Sequence, residues 1–260
     1  MVLRLTRGTT HLMTLSQIFV SLVVRRVLVV VAALATIATS ARPAVAIDTA
    51  NTRMFSQPAL SARQIAFIYA GDLYVCDLDG RNVLRLTSDE GIERSPAFSR
   101  DGTQVAFSAE YDGNVDVFVV PVTGGVPRRL TWHPGADVVQ GFTPDGTQVL
   151  FTSPRAVFTT RYTQLFTVPV KGGVEVALPI PNASRGSYSA DGTRIAYNPL
   201  NPAHLQWKRY RGGSVGTITI YDPKTHATER VAQPPARAND VDPQWLDGAV
   251  YFRSGRSDRG

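Results

Sequence analysis

The residues best suited to recognition chemistry form one basic, aromatic string, Trp207-Lys208-Arg209-Tyr210-Arg211, followed by Gly212-Gly213. Ammonium and guanidinium groups grouped this closely hold a carboxylate by charge-assisted hydrogen bonds. Trp, Tyr and Arg are also the types that anchor one protein surface in another. A third reading is a solvated loop folded back on its own element. Other chemistry finds no pattern. His11, His133, His204 and His226 are scattered, with no H-E-x-x-H or comparable metal spacing. No G-x-S-x-G nucleophile elbow occurs. The Gly-Gly pairs at 124–125, 172–173 and 212–213 lack a following Lys-Ser/Thr and any strand-to-helix context, so they read as hairpin turns rather than phosphate loops. The single cysteine, Cys76, excludes an internal disulfide or a cysteine zinc cluster and reads as a buried strand residue in Tyr74-Val75-Cys76. The sequence therefore assigns no catalytic, cofactor-binding or metal-binding residue within these 260 positions.

The elements that must carry the basic string are repeats. Asp101-Gly-Thr-Gln-Val-Ala-Phe107, Asp145-Gly-Thr-Gln-Val-Leu-Phe151 and Asp191-Gly-Thr-Arg-Ile-Ala-Tyr197 align without gaps. A shorter relative follows at Asp247-Gly-Ala-Val-Tyr-Phe252, and Ser61-Ala-Arg-Gln-Ile-Ala-Phe67 is an earlier one without Asp-Gly. Successive Asp residues are 44, 46 and 56 positions apart, the first two being the length of a four-stranded propeller blade. Phe98, Phe142, Tyr188 and Trp245 precede the turns, with Leu60 in that place in the first repeat. An alternating strand comes next, as in Asp72-Leu-Tyr-Val-Cys and Asp116-Val-Phe-Val-Val, then a Gly or Pro turn and a short last strand such as Arg129-Leu-Thr131. Four strands joined by hairpins make a blade. The Asp-Gly pairs are turn chemistry: Gly takes positive φ and the Asp carboxylate bonds nearby N–H groups. The dense ligand spacing of a calcium loop is absent. The class is all-β, a propeller of four-stranded blades.

Residues 1–46 contain Arg4, Arg7, Arg25, Arg26 and Arg42 and no acid. Arg25-Arg26, the apolar run Val27–Ile37 and Ala44-Val45-Ala46 follow the order of a secretory signal, which predicts a mature start at Ile47 and a periplasmic or secreted location. A retained membrane anchor is the rival reading, and Arg25 and Arg26 would each cost it roughly 2.5–3.5 kcal/mol at mid-bilayer. Without this segment 22 basic residues face 21 acidic ones. The net charge of +6 thus belongs to targeting, and no nucleic-acid partner is expected. The expected organisation is a signal over 1–46, a linker over 47–57 and a propeller over 58–260.

Pro96-Ala-Phe-Ser-Arg-Asp-Gly102 and Gly80-Arg-Asn-Val-Leu-Arg-Leu-Thr87 resemble the repeats of TolB-type periplasmic propellers. An insertion at Asn198–Gly216, carrying the basic string, together with the opening Pro58-Ala-Leu-Ser and Gly71-Asp-Leu-Tyr74, is similar to the first propeller of tricorn-type proteases. That resemblance implies two propellers that gate and channel peptides ahead of a PDZ-like module and a serine peptidase core. It covers only the first propeller, so no catalytic residue carries over. The implied partners are peptide substrates or the peptidase domains of the same chain, with the membrane involved only if the signal is retained; a homo-oligomeric parent fits too. The rivals are a TolB-like protein-binding propeller and the propeller of another hydrolase, such as an amidohydrolase.

Counted from Pro58, four blades are present and a fifth starts at Asp242, with Val250-Tyr-Phe252 as its second strand. The resemblance implies six blades, so about four and a half of a probable six are expected, arranged as an open arc without closure between the end blades.

Overall fold

The protein is described by a computed structural model over residues 54–157, 162–201, 212–234 and 238–256. Every regular element among them is a strand. The first blade is β1 (Phe55–Leu60), β2 (Gln64–Tyr69), β3 (Asp72–Asp77) and β4 (Leu84–Arg85); the second is β5 (Glu93–Phe98), β6 (Gln104–Glu110), β7 (Val115–Pro121) and β8 (Arg128–Arg129). The third holds β9 (Val138–Phe142), β10 (Gln148–Ser153), β11 (Gln164–Pro169) and β12 (Val176–Ala177). The fourth holds β13 (Arg185–Tyr188), β14 (Ile195–Asn198), β15 (Thr219–Tyr221) and β16 (Thr228–Arg230). A fifth sheet pairs β17 (Asp240–Leu246) with β18 (Ala249–Ser254). Each four-stranded sheet is an antiparallel meander in chain order.

Burial follows the blade from axis to rim. The middle strands are apolar throughout, as in Val105-Ala-Phe107 and Val117-Phe-Val-Val120, because both their faces meet a neighbouring blade. Cross-strand partners Phe67 and Tyr74, Phe107 and Phe118, and Phe151 and Phe166 stack with ring centroids 5.7 Å apart in all three blades. Apolar clusters fill the seams: Leu73, Val75, Val105 and Phe107 between the first two blades, Val117, Leu130, Val149 and Phe166 between the next two, and Leu165, Ile180, Ile195 and Tyr221 after them. Phe98, Phe142 and Tyr188, the aromatics before the turns, pack against these three clusters in order.

The Asp-Gly turns repeat to the atom. Asp101 Oδ1 accepts from Ser99 Oγ at 2.6 Å and from Thr103 N at 3.0 Å. Asp145 does the same with Thr143 and Thr147, and Asp191 with Ser189 and Thr193. Gly102, Gly146 and Gly192 all take φ between 70° and 74°. A side chain there would be strained, which is why the turn requires glycine.

Three boundaries differ from the sequence reading. β1 starts at Phe55, three residues before Pro58. β15 starts at Thr219 rather than near Gly216, because Gly216 lies against the fifth blade: a Cβ there would come within 2.8 Å of Val241 Cγ1. β18 continues past Phe252 to Ser254. Among the described residues, no sheet joins a strand of the fifth blade to one of the first.

Candidate functional site

The inner strands β1, β5, β9, β13 and β17 contact one another in succession around an axis. β13 pairs in unbroken register, β9 carries an irregularity of its own, and β1, β5 and β17 carry one at the same level. Their ladders slip between Ser56 and Ala59, between Arg94 and Ala97, and between Val241 and Gln244. The extra residues Gln57, Ser95 and Asp242 take φ of 52°, 53° and 56°, and each precedes a proline: Pro58, Pro96 and Pro243. In β9 the ladder skips Gln140, next to Gly141 with φ of 155°, one residue nearer the turn than in the other three strands. Positive φ is uncommon for a residue with a side chain, and a following proline disfavours the helical region further. Such bulges interrupt the ladder and re-aim side chains, and they gather beside functional surfaces.

Hydrogen bonds from blade to blade hold this level in place. Gln57 Oε1 accepts from Ser95 N at 2.7 Å, Gln140 Oε1 from Gly186 N at 3.3 Å, and Ser187 Oγ from Trp245 N at 3.0 Å. Asn198 is the most connected. Its Nδ2 donates to Thr217 O and Asp240 O, both at 2.9 Å, and its Oδ1 accepts from Asp242 N at 3.0 Å.

All five inner strands line the space they enclose. One end is a cavity of about 710 Å³ bordered by Gln57, Ser95, Gln140, Arg185, Gln244 and Arg253. It continues, across Pro58, Pro96 and Gln140, into about 520 Å³ walled by Leu60, Phe98, Phe142 and Tyr188. The mouth is polar and positively biased. Arg185 Nε donates to Asp242 Oδ1 at 3.1 Å and Arg253 Nε to Asp242 Oδ2 at 2.7 Å, so two guanidinium groups share one carboxylate. The waist sets the aromatic rings of Phe98, Phe142 and Tyr188 among polar groups of Gln140, Ser187 and Gln244, and burial pushes the Tyr188 hydroxyl up from its ordinary range. Beyond the inner strands, at the turns, Arg100 Nη1 donates to Pro144 O at 3.3 Å and Ala190 O at 3.1 Å. The arrangement offers an extended chain charged groups at one end and a mixture of aromatic faces and side-chain amides along the middle.

Trp207, Lys208, Arg209, Tyr210 and Arg211 lie outside the described residues. The two ends of their insertion are described, and both are fastened to the fifth blade: Asn198 by the bonds above, and Gly216 by accepting from Asp240 N at 3.1 Å and donating to Asn239 Oδ1 at 3.0 Å. Sequence reasoning missed the axial lining. Its signal was the recurrence of Gln57-Pro58, Ser95-Pro96 and Asp242-Pro243 at one position of the repeat. Among the described residues, no group of three or more His, Cys, Asp or Glu side chains is placed to hold a metal ion.

The profile of the family described as tricorn protease N-terminal beta propeller domain matches residues 52–260. Tricorn protease homolog 1 of Streptomyces coelicolor is 33% identical over 159 residues, which are 60% of this chain and 14% of that protein. Among solved structures, the crystal structure of the tricorn protease superposes with a TM-score of 0.61 at 22% identity, over 79% of this chain and 22% of that one. The structure of a putative TolB from Agrobacterium tumefaciens also gives 0.61, at 21% identity, over 77% of this chain and 69% of that one. These two likenesses are of fold. The chain spans about one seventh of the Streptomyces relative's length.

Proposed function

Because the chain belongs to the family of tricorn protease N-terminal β-propeller domains, we propose that it serves as a non-catalytic propeller of an exported serine peptidase, guiding peptide segments along its axis. The observation that carries this reading is the continuous axial cavity to which all five blades contribute their inner strands. An extended peptide rises about 3.3 Å per residue and presents alternating side chains. The inner strands offer it side-chain amides at Gln140 and Gln244 and an aromatic waist at Phe98 and Phe142. Trp207, Lys208, Arg209, Tyr210 and Arg211 extend the reading as a contact loop, for peptide or for the peptidase domains of the same protein.

Gln244 is exposed and borders both parts of the cavity, so Gln244→Trp obstructs it without emptying the core. The test is photocrosslinking of an unstructured peptide to the full chain, mapped by mass spectrometry. Labelling of inner-strand residues that Gln244→Trp lowers at least tenfold supports axial passage. Labelling confined to the rim, unchanged by Gln244→Trp, overturns it and favours a TolB-like protein-binding surface.

A further inference from the structure

Three of the inner strands have a buried acid at or just before their heads: Glu93, Asp137 and Asp240, each 0% exposed. Each backbone N–H donates into the preceding blade, to Gly71 O at 2.9 Å, Val115 O at 2.8 Å and Gly216 O at 3.1 Å, so each acid stands in a seam between blades. Two of the three meet a cation from their own blade. Arg155 Nη2 bonds Asp137 Oδ2 at 2.5 Å, and Arg256 Nη2 bonds Asp240 Oδ2 at 2.8 Å. Both arginines lie four residues beyond the second-strand aromatic, Phe151 or Phe252.

In the second blade the residue four beyond Phe107 is Tyr111. It packs on Phe118 with ring centroids 4.8 Å apart, much as Arg155 lies over Phe166. Its hydroxyl donates to Glu93 Oε1 at 2.6 Å, and Glu93 Oε2 is buried without a hydrogen-bond partner. Among the charged groups around Glu93, Arg85 attracts it, but only as the smallest of the influences on that arginine, whose hydrogen bond goes to Asp72. Asp72, at the head of β3 in the first blade, adds negative charge. Arg85 on β4 is bonded to Asp72 at 2.7 Å and to Thr87 O at 2.7 Å. Asp89, in the connection before β5, adds negative charge beside Tyr111. Arg94, on Glu93's own strand, pairs with Glu110 at 3.6 Å.

We infer that the seam between the first and second blades is a proton-dependent joint, closed with Glu93 as the neutral acid and weakened as pH rises, while the next seam, where Asp137 also has one buried oxygen without a partner but pairs with Arg155 through the other, stays closed. Burial pushes the Asp137 carboxyl up as well, but hydrogen bonds from Ser153 and Thr131 and the charge of Arg155 oppose that shift. Burial pushes the Glu93 carboxyl up to about 7, against the Tyr111 hydrogen bond, which favours the anion. A carboxyl raised in the closed seam holds a proton that the opened one releases to solvent. Its contribution is complete below the ordinary value of 4.5 and is lost as pH rises to about 7. Across that window the opening equilibrium of this seam grows by up to about tenfold per pH unit, then levels off.

Hydrogen exchange on the full chain between pH 5 and 8.5, corrected for the intrinsic pH dependence of amide exchange, tests this. The reporters are Glu93 N–H and Leu73 N–H, which bond to Gly71 O and Thr87 Oγ1, compared with Asp137 N–H and Val117 N–H in the next seam. The expected result is a rise in opening for the first pair only, abolished by Glu93→Gln and by Tyr111→Arg, which supplies the cation found in the third blade. An equal rise in both seams, or one that survives either substitution, overturns the inference. If Glu93→Gln fails to fold, Tyr111→Arg and the carboxyl ¹³C titration of Glu93 in the unaltered chain decide it. A midpoint near 7 supports the joint and one below 5 refutes it.

Discussion

Asn198 and Asp242, 44 residues apart, are joined through Asn198 Oδ1 and the Asp242 backbone N–H at 3.0 Å. The bond pins the strained bulge of β17 to the end of β14. The same amide gives both its protons to carbonyls, at Thr217 and Asp240.

Asn198→Ala is therefore expected to destabilise the domain by about 2–3 kcal/mol, since it strips the half-buried Asp242 N–H of its acceptor and two carbonyls of their donor. Asn198→Asp should be worse at neutral pH, because it sets a buried carboxylate facing two carbonyl oxygens, and should recover as pH falls. Urea denaturation at pH 5 and 8 distinguishes the two.

The Asp137–Arg155 pair is buried at its acid end, and Arg155 also bonds Glu175 at 3.0 Å. Arg155→Met removes the cation from a carboxyl that burial already pushes up, and should cost about 3–5 kcal/mol. Adding Asp137→Asn to Arg155→Met should return much of that loss. A double-mutant cycle measured by denaturant unfolding checks both values.

Most of the blade pattern was legible before the structure, and the reason is local. An Asp-Gly turn is specified by residues within five positions, as in Ser99, Asp101, Gly102 and Gln104, so spacing and turn chemistry together locate each hairpin. The axial site was not legible. Its lining comes from five strands spread over nearly two hundred residues, and each inner strand by itself reads as ordinary half-buried sequence. Arg155 and Arg256 look like surface charges until the fold brings them to Asp137 and Asp240. The basic string at 207–211 was legible as composition alone.

The turn carboxylates should act in acid. Hydrogen bonds from Ser189 and from the N–H and hydroxyl of Thr193 hold the Asp191 carboxyl down at about 2. A depressed carboxyl contributes stability that is present above its ordinary value of 3.8 and lost as pH falls toward about 2. Asp191→Asn should flatten the pH dependence of the denaturation midpoint between pH 2 and 4 while leaving the fold intact. Denaturant titrations across that range make the comparison.

The basic insertion should be separable from the fold. Arg209→Ala combined with Arg211→Ala is expected to weaken peptide or domain binding by about tenfold, the equivalent of losing about 1.4 kcal/mol of charge-assisted contact. Circular dichroism melts should be unchanged, because the insertion is fastened through Asn198 and Gly216 instead. A lower melting temperature would make the string a structural brace of its own blade.

Arg100 behaves like a tie-rod across an arch. Stacked repeats ordinarily feel only their neighbours, and local damage then stays local. Arg100 starts in the second blade and ends on carbonyls of the third and the fourth, at Pro144 and Ala190, the latter 90 residues along the chain. Spreading of the inner strands under load therefore stretches a strut that skips a blade, so the second and fourth blades share strain with no seam of their own between them. The stiffness of the axial passage is in that respect a property of three turns acting together.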